Sequence, residues 1–188
     1  SSAASDVYKR QPILPPINYP KILASYSDEI NVNDEIMKFY VDDIVPKVSC
    51  KEGDQLENLG SASTCDIECL QAISRRIHFG KFVAEAKYVH DKPLYIKLIL
   101  ARDVKGIEES ITNSAVEAKI LERLVVKAES YGVDPSLKYG TNVQSKVKPE
   151  VIAQLYKKWI IPLTKKVEVD YLLRRLEDED PEIVDKYR

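Results

Sequence analysis

The chain has 188 residues, 44% of them hydrophobic and 31% charged, an ordinary makeup for a globular unit with a core of its own. Lys and Arg number 28 against 30 Asp and Glu, a formal net charge of -2, so no basic excess exists to drive binding to nucleic acid or an anionic membrane. No run approaches the roughly 18–20 apolar residues of a membrane span, and no signal peptide is visible. Any anion bound here must be held by a few placed side chains.

Residues 1–11 are small and polar without pattern and read as an artefact or a disordered tail. Pro12, Pro15, Pro16 and Pro20 make the stretch to Ile30 an extended arm, because proline fixes φ and restricts the residue before it. Asn33 then opens a helix through Ile36, Phe39, Tyr40 and Ile44, which Pro46 should end. Residues 51–63 read as a loop. A long helix follows from Ser63 to about Tyr88, with Ser63 and Asp66 as a capping signature and Ile67, Leu70, Ile73 and Ile77 as its apolar stripe. Gly80 inside it costs about 1 kcal/mol against Ala and points to close approach by another element or a ligand.

Pro93 suits the first turn of a helix through Ile96 and Leu100. A short helix is expected at Val104–Ile111. Ser114 and Glu117 form a Ser-x-x-Glu capping box for a helix ending near Gly132. Residues 133–147 read as polar loop, and Pro149 begins a last long helix, kinked at Pro162, that carries Leu155, Trp159, Leu163, Val167 and Leu172. The acidic tail from Asp178 is expected to fray. With no strand alternation and no internal repeat, the fold class is all-α, a bundle of long helices.

Cys50, Cys65 and Cys69 lack the further ligands a zinc site needs, and His78 and His90 do not supply them. Reduced, partly buried thiols in an intracellular compartment are expected. Arg76 and Lys87, eleven apart on one helix, fall about 20° from three complete turns and roughly 16 Å apart, so both project from one face. That face is either a solvated basic stripe or one side of a small anion site. Asn113 with Glu117, and Thr164 with Glu168, are four apart on two further helices. Taken alone, the first pair is better explained by helix capping. Glu168, between Val167 and Val169, is either an exposed interruption or a buried acid with a raised pKa. There is no Gly-rich phosphate loop, metal cluster or nucleophile–base motif.

The run CDIECLQAISRRIHFGKFVAEAKY (Cys65 to Tyr88) closely resembles the central helix of fungal and plant chorismate mutases. INYPKIL (Ile17 to Leu23), ITNSAVEAKILERL (Ile111 to Leu124) and IPLTKKVEVDYLLRRLE (Ile161 to Glu177) resemble the same family in the same order. The resemblance implies an all-helical chorismate mutase domain over residues 12–177, its carboxy-terminal two-thirds without the amino-terminal helix, followed by the acidic tail 178–188. It implies conversion of chorismate to prephenate in phenylalanine and tyrosine biosynthesis, in the cytoplasm and without a cofactor. It assigns Arg76 to a carboxylate, Lys87 to the ether oxygen and a carboxylate, Asn113 and Glu117 to the second carboxylate and the ring hydroxyl, and Thr164 and Glu168 to the last helix, with Glu168 facing the ether oxygen. It further implies a homodimer regulated by tyrosine and tryptophan, with Asn58, Gly60, Ser61 and Thr64 in the effector site, although Glu57 stands where the fungal pattern has Asn. A catalytically inactive short form serving as a dimerising or effector-binding module is the alternative.

Overall fold

The computed structural model describes residues 19–49, 56–131 and 147–188, and these are helical with no strand among them. The expected tail at 1–11, the start of the proline-rich arm, Cys50 and the polar loop up to residue 146 lie outside them. Helix α1 (Asn33–Phe39) runs through a π-helical turn (Tyr40–Ile44) into α2 (Val45–Val48). Then come α3 (Leu59–His78), α4 (Gly80–His90), α5 (Lys92–Leu100), α6 (Val104–Ile111) and α7 (Ser114–Tyr131). Helix α8 (Pro149–Leu155) passes through a second π-helical turn (Tyr156–Ile160) into α9 (Ile161–Leu173), and α10 (Pro181–Asp185) follows.

Both prolines lie just after π turns rather than in plain α-helix. Pro46 does not end its helix, and both Pro46 and Pro162 sit at the second position of the α-helix that resumes after a π turn. In a continuous α-helix the proline ring would crowd the carbonyl four residues earlier and leave it without a donor. Here those residues, Asp42 and Lys158, lie inside the wide turns, whose i→i+5 bonding removes the conflict. The two π turns also dock on each other. Trp159 stacks on Phe39 with ring centroids 5.2 Å apart, and Asp43 accepts from Trp159 Nε1 at 2.5 Å and pairs with Lys158 at 2.9 Å and Lys47 at 2.7 Å.

The single helix expected from Ser63 to Tyr88 is two helices, α3 and α4, meeting at Phe79. Helix α3 begins at Leu59, so Ser63 and Asp66 lie inside it and cap nothing, and Asp66 instead accepts from the Tyr40 hydroxyl at 2.6 Å. The first half of α3 is largely exposed, Ile67 included, and Cys65 and Cys69 are free, exposed thiols rather than partly buried ones. Later starts match the capping chemistry more closely. Asp91 caps α5 through Leu94 N–H and Asp103 caps α6 through Gly106 N–H. The cap of α7 is Asn113, whose Oδ1 accepts from Val116 N–H at 3.1 Å, while Ser114 is already the first helical residue. Between α5 and α6, Arg102 takes φ 51° at the left-handed position where a helix ending of this type favours glycine.

The core lies where α4 packs along α9, with α1, α5 and α6 around them. Ile77, Tyr88, Ile96, Ile107, Val167, Tyr171 and Leu172 are fully buried there. The residues before α1 also enter it, since Ala24, Tyr26, Ile30 and Val32 are buried. Val32 N–H donates to His78 Nε2 at 3.1 Å, which leaves Nδ1 protonated and donating to Ser74 O at 2.9 Å. At the far end of α4, Glu85 takes Arg175 through two bonds, 2.7 Å and 3.0 Å. It also accepts from the Tyr171 hydroxyl at 2.7 Å, and that hydroxyl in turn accepts from Ala24 N–H. Arg175 lies 4.5 Å over the Tyr88 ring.

The acidic tail does not fray. Glu179 accepts from the Tyr88 hydroxyl at 2.7 Å and from Lys92, Asp178 accepts from Ser25, and Val184 of α10 is buried. Because Glu85 is only 6% exposed, removing its partner strands a carboxylate in the core. Arg175→Met is therefore expected to cost about 3–5 kcal/mol in urea unfolding. The double replacement Glu85→Leu/Arg175→Met should cost much less, and equal losses would show that the charge pair is not what holds this end together.

Candidate functional site

A cavity of about 520 Å³ opens between α3, α4, the start of α7, and the α8–α9 segment. Its wall carries Arg76, Lys87, Asn113, Glu117, Thr164 and Glu168 together, six residues from four helices that the sequence singled out separately. Val83, Val116, Ile120 and Ile161 supply the apolar part of the lining.

Arg76 stands on the last turn of α3, and its Nε donates to the Tyr156 hydroxyl at 2.7 Å. One edge of the guanidinium is thereby fixed. Lys87, on the last turn of α4, donates to the Ile111 carbonyl at 2.8 Å and lies 3.9 Å from Glu168 Oε2. Asn113 uses its side chain as the α7 cap, and Glu117, one turn on, pairs with Lys165 at 2.7 Å. Thr164 donates its hydroxyl to the Ile160 carbonyl at 2.7 Å.

Glu168 differs from the rest. It is 7% exposed, and among the described residues Oε2 of Glu168 and Nη1 of Arg175 are the buried side-chain polar atoms that meet no hydrogen-bond partner. Lys87 at 3.9 Å is too distant for a hydrogen bond. Burial pushes the Glu168 carboxyl up to about 7, against the opposing pull of Lys87, Lys165 and Arg76. Near neutral pH the site therefore contains a carboxylic acid that can donate a proton to a hydrogen bond from inside a cavity of cations.

Gly80 is what lets Glu168 sit there. A Cβ at residue 80 would come within 3.1 Å of the Thr164 carbonyl and 3.2 Å of both Glu168 Cγ and Thr164 Cγ2. The close approach expected from a mid-helix glycine is the contact of α4 with α9, beside the site. Asn58, Gly60, Ser61 and Thr64 lie elsewhere, at the exposed start of α3, where Ser61 donates to Asn58 O and Thr64 to Gly60 O, both at 3.0 Å. Among the described residues no group of three or more His, Cys, Asp or Glu is placed to hold a metal ion.

The family model for chorismate mutase type II matches residues 59–169. The chain belongs to that family. The chorismate mutase of Pichia angusta is 61% identical over 167 residues, covering 89% of this chain and 60% of that protein. The chorismate mutase of Saccharomyces cerevisiae is 59% identical, covering 88% and 63%. Among solved structures, the Candida albicans Aro7p chorismate mutase in complex with L-Trp is similar at 86% identity and TM-score 0.86, covering 95% of this chain and 66% of that one. The structure of AtCM1 with tyrosine bound in its allosteric site is similar at 42% identity and TM-score 0.73. The chain thus spans just under two-thirds of the length of these chorismate mutases.

Two cavity residues escape a reading of the sequence, Tyr156 and Lys165. Tyr156 precedes Thr164 by eight residues, about 80° out of phase in a regular α-helix. The π turn between them takes up one extra residue and brings the two nearly into line, so only the feature that hides the periodicity could have revealed it. Nothing in the sequence separates Lys165 from Lys166, yet Lys165 lines the cavity while Lys166 pairs with Glu35.

Gly80→Ala is expected to cost about 1–3 kcal/mol in urea unfolding and to shift the titration of Glu168 followed by 13C NMR of its carboxyl. Unchanged values for both would mean that α4 and α9 have slack at this point.

Proposed function

We propose that this protein is a chorismate mutase that binds chorismate between Arg76 and Lys87 and rearranges it to prephenate. The observation that carries this reading is Glu168, a buried acid near its midpoint at neutral pH, with an unpartnered oxygen beside Lys87. The rearrangement is unimolecular and pericyclic, so it needs no nucleophile or base. What lowers its barrier is holding a flexible dianion in the reactive chair conformer and stabilising the charge that grows on the breaking ether bond. Arg76 matches a planar carboxylate through paired donors. Lys87 donates to the ether oxygen. Glu168 donates there too, but only in its protonated form, because an ionised carboxylate would repel the developing negative charge. Asn113 and Thr164 complete the contacts to the substrate, and Glu117 accepts from its ring hydroxyl.

Regulation fits a second place on the chain. We place tyrosine and tryptophan at Asn58, Gly60, Ser61 and Thr64 in a homodimer, in accord with the tryptophan and tyrosine complexes of the similar structures. No helix of the described residues is long and apolar enough to cross a membrane, and the free thiols Cys65 and Cys69 accord with a reducing, cytoplasmic setting.

Chorismate disappearance, followed on this chain and on the full-length gene product, tests the central reading. Activity in the full-length product supports it, and inactivity in both, with tyrosine still bound, favours an effector-binding module instead. The rate should fall as pH rises through about 7, because the acid form of Glu168 is lost in that range. Glu168→Gln keeps a donor that does not titrate, so its profile should be flat there. A profile unchanged from wild type would remove Glu168 from the chemistry. Arg76→Ala should lower kcat/KM by about tenfold to a hundredfold, the cost of a lost charge-assisted partner, and an undiminished kcat/KM would place the carboxylate elsewhere.

A further inference from the structure

Lys165 belongs to no assigned role, yet its ammonium group is inside the cavity. It pairs with Glu117 at 2.7 Å, and the two side chains are exposed to the same degree, 30% and 29%. The charged groups around Glu168 are Arg76 from α3, Lys87 from α4 and Lys165 from its own helix, while Glu117 faces Lys165 from α7. Among the described residues three cations therefore meet two carboxyl groups. Lys165 and Glu117 cancel one another.

We propose that Lys165 is a positioning residue, which pins Glu117 as a charge-neutralised, acceptor-only group and keeps it away from Arg76 and Lys87, which the ligand uses. This rests on the functional reading above. A carboxylate held by an ammonium group can only accept hydrogen bonds, so Glu117 selects a ligand with a hydroxyl donor at that end of the cavity. An unpinned Glu117 would be free to swing toward Arg76 or Lys87 and compete with the ligand for them. The same ammonium group also acts on Glu168 from one helical turn away, favouring the ionised form.

The test is Lys165→Met in the full-length protein, with Lys165→Arg beside it. In Lys165→Met, KM for chorismate should rise about tenfold with a smaller change in kcat. The preference for chorismate over an analogue lacking the ring hydroxyl should largely disappear. The alkaline limb of the rate should move up by about 0.5 pH, because a cation near Glu168 has gone. Lys165→Arg should stay near wild type in all three. In the ligand-free protein the Glu168 carboxyl, followed by 13C NMR, should titrate at higher pH in Lys165→Met, whatever the substrate is. Equal losses on chorismate and its deoxy analogue, or an unmoved Glu168 titration, would overturn the assignment. A wild-type protein inactive on chorismate, in which the Glu168 titration still moves, would overturn the functional reading and keep the charge role of Lys165.

Discussion

Helices α4 and α9 can lie against each other as they do only because residue 80 has no side chain. At that point the Thr164 carbonyl and the Glu168 Cγ occupy space that any Cβ would contest. The rest follows from the contact. It draws Glu168 out of solvent, brings Lys87 to its side, and makes the floor of a cavity whose other walls are supplied by α3 and α7. Glu85 of α4 ties to the same helix pair at a second point, through the Tyr171 hydroxyl of α9 and Arg175 just beyond its end.

Two carboxyl groups at this helix pair show how environment divides labour. Glu85 and Glu168 are buried almost equally, at 6% and 7% exposure. Glu85 meets a bidentate guanidinium and a tyrosine hydroxyl, so its charge is compensated and its function is structural. Glu168 has a cation near it but out of hydrogen-bond reach and an oxygen with no partner, so burial dominates and the proton is retained to near neutrality. The first arrangement stabilises the fold. The second leaves an unmet hydrogen-bonding capacity facing a cavity, which a ligand can satisfy.

The helices were largely legible because their punctuation is local. Pro93 falls in the first turn of a helix, and the span of α6 is the expected Val104–Ile111. The six substrate candidates reach one cavity: Asn113 with Glu117 and Thr164 with Glu168 because four-residue spacings survive in any α-helix, and Arg76 with Lys87 although their helix divides at Phe79. What the sequence conceals is what depends on tertiary partners. Pro46 reads as a terminator because the wide turn that tolerates it leaves no mark in composition. The acidic tail reads as frayed because Tyr88, Lys92 and Ser25, which receive its carboxylates, are distant in the chain. Lys165 goes unmarked because charge alone does not reveal that its partner, Glu117, comes from another helix.

The second π turn has a consequence for how this sequence can change. Each such turn holds one residue more than an α-helix of similar rise, so it works as an insertion that the helix has absorbed. Deleting one residue between Tyr156 and Ile160 would leave a continuous helix of nearly the same length and polarity. Tyr156 would then stand seven residues before Thr164, about 20° from the same face, so Tyr156, and with it Arg76, would still meet Thr164 and Glu168. Helix content would register almost nothing. The cost would fall on Pro162, whose ring would crowd the carbonyl four residues earlier once the wide turn is gone, so the length of this segment is tied to its proline rather than to the cavity.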